Sequence, residues 1–265
     1  MLSAKSITVA YNDVFVIKDF SIAFHKGEIT SIIGPNGCGK STLLKSLARL
    51  IPITKGDVFI EGENLKSMKN KSIAKRLCLL SQHNTAPADL TVKQLVHFGR
   101  IPHKKWYEPK TKEDEDIVNQ AIISTGLSDF SNRTIGSLSG GQRQRAFIAL
   151  ALAQKPEILL LDEPTTYLDI GFQLELMELI KEINHKFGIT VIMVLHELNQ
   201  ASRYSDRLIL MNEGCIIADG GPESVMIDEN LRKVYGILSE INQDTQTNRP
   251  RIYPLASLKN TTCAM

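Results

Sequence analysis

Residues 34 to 42 read Gly34-Pro35-Asn36-Gly37-Cys38-Gly39-Lys40-Ser41-Thr42 and fill every fixed position of the phosphate-loop pattern G-x-x-x-x-G-K-[ST]. This pattern constrains the fold because it works only between the end of a buried strand and the start of a helix. In front of it, Ile29-Thr30-Ser31-Ile32-Ile33 is short, β-branched and mostly apolar, which predicts a buried strand. Behind it, Leu43, Leu44, Leu47 and Leu50 recur at helical spacing and predict a helix. The glycines let the backbone curl so that several N–H groups point at one anion. The helix N-terminus adds its positive dipole end. Lys40 is placed to reach terminal phosphates, and Ser41 offers a hydroxyl to Mg²⁺. A chance glycine turn does not explain a match at every position in the right context, so the chain is expected to bind a nucleoside triphosphate.

A chain of 265 residues has room for one large domain, or for one domain carrying a sub-domain. The formal net charge of +2 gives a nucleic-acid partner no support. No apolar run approaches the ~18 residues needed to cross a bilayer. The start, Met1-Leu2-Ser3-Ala4-Lys5, lacks the apolar core of a signal peptide. The four cysteines (Cys38, Cys78, Cys215 and Cys263) form no C-x-x-C pair and fit a reduced compartment. A cytoplasmic protein is expected.

Residues 5 to 33 alternate as β structure, with Ile7, Val9 and Tyr11 on one run and Phe20, Ile22 and Phe24 on another. Gly56-Asp57 opens a further run carrying Val58 and Ile60. Together these predict an antiparallel sheet. Tyr11 has two readings on spacing alone: a ring that stacks on a base, or a core tyrosine. Leu77-Cys78-Leu79-Leu80 predicts a strand leading to Ser81-Gln82. From 83 to 155 strand signals are weak and helix caps appear, at Thr91 and at Thr111-x-x-Asp114. This stretch is expected to be a helical sub-domain inserted into an α/β core, with residues 101 to 112, including the single tryptophan Trp106, as a surface loop.

Leu138-Ser139-Gly140-Gly141-Gln142 precedes a helix-like run from Arg143 to Gln154 that Pro156 stops. Ser139 is a natural N-cap, and the glycines leave N–H groups open, so this is either a second anion site or simply a capped helix with a flexible start. Ile158-Leu159-Leu160-Leu161 is the mark of a strand buried on both faces. It ends in Asp162-Glu163. Acids at the tip of such a strand sit where α/β sheets bind ligands, and adjacent residues on a strand point opposite ways. Asp162 would serve Mg²⁺ and Glu163 an attacking water; the plainer reading is an acidic turn before Pro164. The segment from Asp169 carries Leu176, Ile180, Ile183 and Phe187 on one helical face, with Gly188 as a stop. Thr190 to Leu195 predicts another buried strand, with His196 at its tip. Asn212-Glu213-Gly214 marks a hairpin, 222 to 236 reads as helix, and the tail from 237 has weak strand signals.

As a set, in this order, these residues resemble the nucleotide-binding subunit of an ATP-binding cassette (ABC) transporter over roughly residues 2 to 240. Gly34 to Thr42 resembles the Walker A loop, and Gln82 the Q-loop glutamine. Leu138 to Gln142 resembles the LSGGQ signature. Ile158 to Asp162 with Glu163 resembles Walker B and the catalytic glutamate. Asp169 falls at the D-loop and His196 at the switch histidine, while Tyr11 matches the A-loop aromatic. The resemblance implies a P-loop NTPase core with a parallel sheet, an N-terminal antiparallel β sub-domain, an inserted helical sub-domain near 83–155 and a short C-terminal tail over 241–265. It implies ATP and Mg²⁺ as cofactors, with Ser41, Gln82 and Asp162 around the metal, Glu163 acting on water and His196 on the γ-phosphate. It also implies that Ser139, Gly140, Gly141 and Gln142 close on the nucleotide held by a second copy.

A narrower resemblance rests on Pro164-Thr165-Thr166-Tyr167-Leu168-Asp169, His196-Glu197-Leu198-Asn199-Gln200-Ala201 and Phe98-Gly99-Arg100. These are similar to ATPases of ferric siderophore, ferric citrate, haem and cobalamin importers, with Glu197 and Ser81 as small departures. That implies a peripheral subunit on the cytoplasmic face of the inner membrane. It implies a pair of such subunits under a polytopic permease, with a substrate-binding protein acting indirectly. The sub-domain after Gln82 is the expected permease contact, and Trp106 a further candidate. Two rival functions are a soluble ATPase of cofactor assembly and a nucleotide-sensing scaffold; Glu163 and His196 together count against the second. Cys38, near Lys40 and a helix N-terminus, is expected to favour the thiolate, so that alkylation there would block ATP binding; a small side chain filling a permissive position is the alternative.

Overall fold

The computed structural model describes residues 1–12, 14–105 and 107–258. Its chain divides into two compact units, one formed by Met1–Lys66 with Ile192–Met265 and the other by Ser67–Val191. Asp13 and Trp106 lie outside the described residues, as does Cys263.

The first unit begins with β1 (Leu2–Tyr11), β2 (Val14–Ala23), β3 (Ile29–Ile33), α1 (Lys40–Leu47), β4 (Lys55–Ile60) and β5 (Glu63–Asn64). Strands β2, β1, β4 and β5 pair in that order as the expected antiparallel sheet. Their alternation is physical: Ile7, Val9, Ile17, Phe20, Val58 and Ile60 all lie buried on it. Burying each such side chain contributes about 1.5–3 kcal/mol. Strand β3 is buried along its whole length, as its composition predicts. Helix α1 ends at Leu47, and Leu50 is 64% exposed rather than part of the helical stripe. The left-handed φ of 56° at Arg49 breaks the period between them.

The second unit runs α2 (Asn70–Arg76), β6 (Leu77–Leu80), α3 (Val92–His97), α4 (Lys112–Ser124), α5 (Gly140–Ala153), β7 (Ile158–Asp162) and α6 (Ile170–Phe187), into the first two residues of β8 (Thr190–Val194). Strands β6 and β7 pair in parallel, Leu77 opposite Ile158 through Leu80 opposite Leu161. Helices α3 and α4 pack on α5, whose Ala146, Phe147, Ile148, Ala149 and Leu152 are buried all round. Thr91 and Thr111 each close a capping box, with Gln94 and Asp114. Residues 101–112 are not wholly loop, because Phe98–His103 forms a 3₁₀ helix. Gly99 lets that turn approach α5: a Cβ there would stand 2.3 Å from the Leu150 carbonyl oxygen.

The chain then returns to the first unit with α7 (Leu198–Tyr204), β9 (Arg207–Asn212), β10 (Cys215–Gly220), α8 (Pro222–Val225), α9 (Asp228–Tyr235), β11 (Ile237–Gln243) and β12 (Pro250–Ser257). Strand β9 pairs in parallel with β3 and antiparallel with β10, and β8 flanks β3 on the other side. Within the segment expected as a tail over 241–265, β12 pairs with β11 as a hairpin. Its turn is held by the Asp244 carboxylate, which accepts N–H groups from Gln246 and Thr247. Its signal is weak in sequence because Ser239, Glu240, Asn242 and Gln243 interrupt the apolar alternation. Among the described residues, no helix is long and apolar enough to cross a membrane.

Candidate functional site

The first unit carries the phosphate loop. It leaves β3 at Ile33 and enters α1 at Lys40, as the sequence context requires. Lys40 is only 5% exposed, and its ammonium donates to the carbonyls of Gly34 at 2.8 Å and Pro35 at 2.9 Å. The loop therefore curls around its own lysine. Gly34 makes the curl possible: its φ is +150°, and a Cβ there would stand 2.2 Å from the Met211 carbonyl oxygen. Gly34 is also hydrogen-bonded through its backbone to the phenol of Tyr235, at the end of α9. Nothing in the spacing pointed to Tyr235, which lies some 200 residues downstream.

Cys38, within this loop, is buried at 5% exposure. Burial pushes its thiol up, against the opposing pull of Lys40 and of backbone hydrogen bonds. The expectation of a favoured thiolate is thus reversed: desolvation outweighs the nearby ammonium and helix end.

Tyr11 closes β1 at the tip of the β1–β2 hairpin, paired with Val14. Its ring is 46% exposed, which removes the core reading and leaves a ring presented at the surface. His196 follows β8 and is exposed; the preceding Leu195 N–H donates to the Ile32 carbonyl at 3.2 Å. The register thus sets the histidine beside the end of the strand that feeds the phosphate loop.

The second unit carries the acids. Asp162 ends β7, 3% exposed. Glu163 follows with a left-handed φ of 53°, a rare conformation for a residue with a long side chain. Its carboxylate Oε2 accepts the Gln82 Nε2–H at 2.6 Å and the Thr166 hydroxyl at 3.2 Å. Gln82 and Glu163 are thereby brought together, from the ends of two paired strands. Thr166 is a further member of this group; the sequence shows it within Pro164–Asp169, three residues after the acid, without assigning it a role. Beside it, His83 and Tyr167 stack with ring centroids 5.7 Å apart.

The signature segment opens α5. Ser139 caps it in a full capping box: the Gln142 N–H donates to Ser139 Oγ at 3.3 Å and the Ser139 N–H to Gln142 Oε1 at 3.1 Å. Gly140 and Gly141 occupy the first helical positions, whose N–H groups have no intrahelical acceptor. Asp169 caps α6, accepting the Phe172 N–H at 3.0 Å.

The donor set suits Mg²⁺ in kind. A hydroxyl at Ser41, an amide oxygen at Gln82 and a carboxylate at Asp162 are all hard oxygen donors, and Mg²⁺ takes one or two carboxylates beside phosphates and water. Among the described residues no cluster of three or more His, Cys, Asp or Glu side chains could hold a metal by itself.

Residues 17–166 match the family model described as ABC transporter. The chain is 46% identical to the petrobactin import ATP-binding protein FpuC of Bacillus anthracis, covering 93% of this chain and 90% of the relative. It is 43% identical to the ferric enterobactin transport ATP-binding protein FepC of Escherichia coli K12, covering 96% and 94%. Its fold is similar to that of a putative metal-chelate type ABC transporter in an inward-facing conformation, with a TM-score of 0.83 at 26% identity over 96% of this chain and 97% of the other. It is also similar to the dimeric structure of MJ0796, a bacterial ABC transporter cassette, with a TM-score of 0.72 at 29% identity over 83% and 98%. The chain belongs to the ABC transporter family, as one of its ATP-binding, ATP-hydrolysing subunits.

Proposed function

We propose that this subunit powers import of a ferric siderophore-type chelate, as one of two ATPase chains held peripherally beneath a polytopic permease at the cytoplasmic face of the membrane. The observation that carries the cargo is identity above 40%, over more than nine-tenths of the chain, to proteins named for petrobactin and ferric enterobactin import. A dimeric cassette among the similar structures supports the pair. A substrate-binding protein would act only through the permease, and choose the cargo with it.

In the reaction, the phosphate-loop amides and Lys40 cradle the β- and γ-phosphates, and Tyr11 stacks on the base. Ser41, Gln82 and Asp162 would hold Mg²⁺, which when bound would supply charge neutralisation on the transferring phosphoryl group. Phosphoryl transfer asks the protein mainly for positioning and electrostatic stabilisation. Glu163 takes the proton of the attacking water, and Gln82 and Thr166 hold its carboxylate in place. His196 contacts the γ-phosphate. Ser139, Gly140, Gly141 and Gln142 meet the nucleotide bound by the second copy, with Asp169 at the seam between copies.

The permease contact we assign to a groove of about 820 Å³ in the second unit. Its apolar wall includes Leu90, Phe98 and Ile101; Lys71, Lys105 and Lys110 also line it, with Glu108, while its other acid, Asp114, is already paired with Arg100 and Lys104. Phe98 is 46% and Ile101 63% exposed, an apolar surface with cations at its rim. That chemistry suits an apolar cytoplasmic segment of the permease carrying a carboxylate. The expected contact at Trp106 lies outside the described residues.

Radiolabelled iron uptake tests the reading. Cells lacking the chain, or carrying Glu163→Gln, are expected to lose uptake of a ferric siderophore while retaining haem and cobalamin uptake. Loss of haem or cobalamin uptake alone would move the cargo to those alternatives. Unchanged uptake of all of them, with the tagged protein recovered only among soluble assembly proteins, would favour the cofactor-assembly reading.

A further inference from the structure

The β11–β12 hairpin, which the phosphate chemistry does not use, is bonded to the helix that follows the switch histidine. Helix α7 starts at Leu198, two residues after His196. From its first turn, the Asn199 side chain brackets one residue of β12: Nδ2–H donates to the Ile252 carbonyl at 3.0 Å, and Oδ1 accepts the Ile252 N–H at 2.8 Å. The amide thus stands in for a neighbouring strand, satisfying both backbone groups of a residue that is itself only 2% exposed. One turn on, the Ser202 hydroxyl, 1% exposed as a residue, donates to the Pro250 carbonyl at 2.6 Å. Three bonds therefore fix the start and middle of α7 to one strand. At its other end the hairpin is closed by the Leu258 N–H, which donates to the Gly236 carbonyl at 2.7 Å, just past α9.

We propose that Asn199 is a positioning residue for His196. The C-terminal hairpin, gripping α7 through Asn199 and Ser202, fixes the direction in which the chain leaves β8, and so where the imidazole stands when ATP is bound. The segment from Leu195 to Asn199 is tied at both ends, to Ile32 by the Leu195 N–H and to Ile252 by the Asn199 amide. His196 lies between these ties and is exposed. The inference rests on the reading that His196 contacts the γ-phosphate. Small displacements of such a group cost rate rather than substrate affinity.

The test is a double-mutant cycle on purified protein, read as kcat and KM for ATP. Asn199→Ala is expected to lower kcat about tenfold with KM within about twofold. In a His196→Ala background the same change is expected to cost nothing further, because the group it positions is gone. Asn199→Asp keeps the oxygen that accepts the Ile252 N–H and loses the donor; it is expected to fall between wild type and Asn199→Ala, and it carries the test if the alanine variant does not fold. Wild-type kcat in both Asn199 variants, or a loss that repeats in full in the His196→Ala background, would overturn the proposal while leaving the role of His196 intact. Wild-type turnover in His196→Ala alone would overturn both.

Discussion

The side-chain amide of Gln82 donates a 2.6 Å hydrogen bond to the carboxylate of Glu163, joining the chain just beyond β6 to the chain just beyond β7. The two strands run parallel and in register, from Leu77 opposite Ile158 to Leu80 opposite Leu161, so their tips lie side by side. In the proposed reaction the amide nitrogen would steady Glu163 as the base and leave the amide oxygen for Mg²⁺. Gln82→Ala should therefore lower kcat about tenfold while ATP affinity changes little, since Thr166 remains as a second donor on the same carboxylate oxygen. Steady-state kinetics beside nucleotide-binding fluorescence would show this; a large affinity loss with unchanged kcat would assign Gln82 to binding alone.

Asp114 holds an ion network that a sequence reading sees only as a helix cap. It is 4% exposed and lies 3.1 Å from the Arg100 guanidinium and 2.5 Å from the Lys104 ammonium. Arg100 also donates to the Ala153 carbonyl at 2.7 Å, so it ties the 3₁₀ turn to α5. Arg100→Ala should destabilise the protein by about 1.5–3 kcal/mol, the usual cost of losing a hydrogen bond to a charged group. Urea unfolding of the variant against wild type measures it.

The same carboxyl sets a pH dependence. Burial pushes the Asp114 acid up, but hydrogen bonds from Lys104, Thr111 and Arg100 outweigh burial and hold it well below the usual carboxylate range. A depressed folded pKa gives stability that is fully present above the unfolded value of about 3.9 and is lost as pH falls through the folded one. Wild-type stability should therefore fall below about pH 4 more steeply than that of Asp114→Asn. Parallel acid titrations of the two would contradict this.

Gly34→Ala should weaken ATP binding by at least about tenfold, because its Cβ meets the Met211 carbonyl oxygen at 2.2 Å and the loop must move off β9 to fit it. Isothermal titration with ATP and Mg²⁺ reads the loss.

Cys38 should label slowly. With its thiol pushed up by burial, a maleimide at neutral pH should reach the exposed Cys215 at least about ten times faster, as peptide mapping by mass spectrometry would show. Faster labelling of Cys38 would restore the thiolate reading.

Where one residue pattern determines the local backbone, the sequence was legible. The phosphate loop sits between a β-branched strand and a leucine-rich helix, and both formed as the pattern requires. Asp162 and Glu163 stand at a strand tip because four apolar residues in a row can only be buried. Pairings between distant segments were not legible. Nothing near Asn199 announces Ile252, and nothing near Gly34 announces Tyr235, because such contacts depend on how elements pack rather than on any local period. The hairpin of β11 and β12 is faint in sequence for a related reason: a strand exposed on one side needs few apolar residues, so its alternation is weak. Cys38 departs from its expected thiolate character because neighbours in sequence, Lys40 among them, reveal charge but not burial.

Phosphate release from Glu163→Gln in ATP and Mg²⁺ decides whether Glu163 drives hydrolysis of ATP held by the phosphate loop. The variant should bind ATP as wild type does and release phosphate slower by about 10²–10⁴, the usual worth of a positioned general base. Phosphate release at the wild-type rate would show that Glu163 does not activate the water.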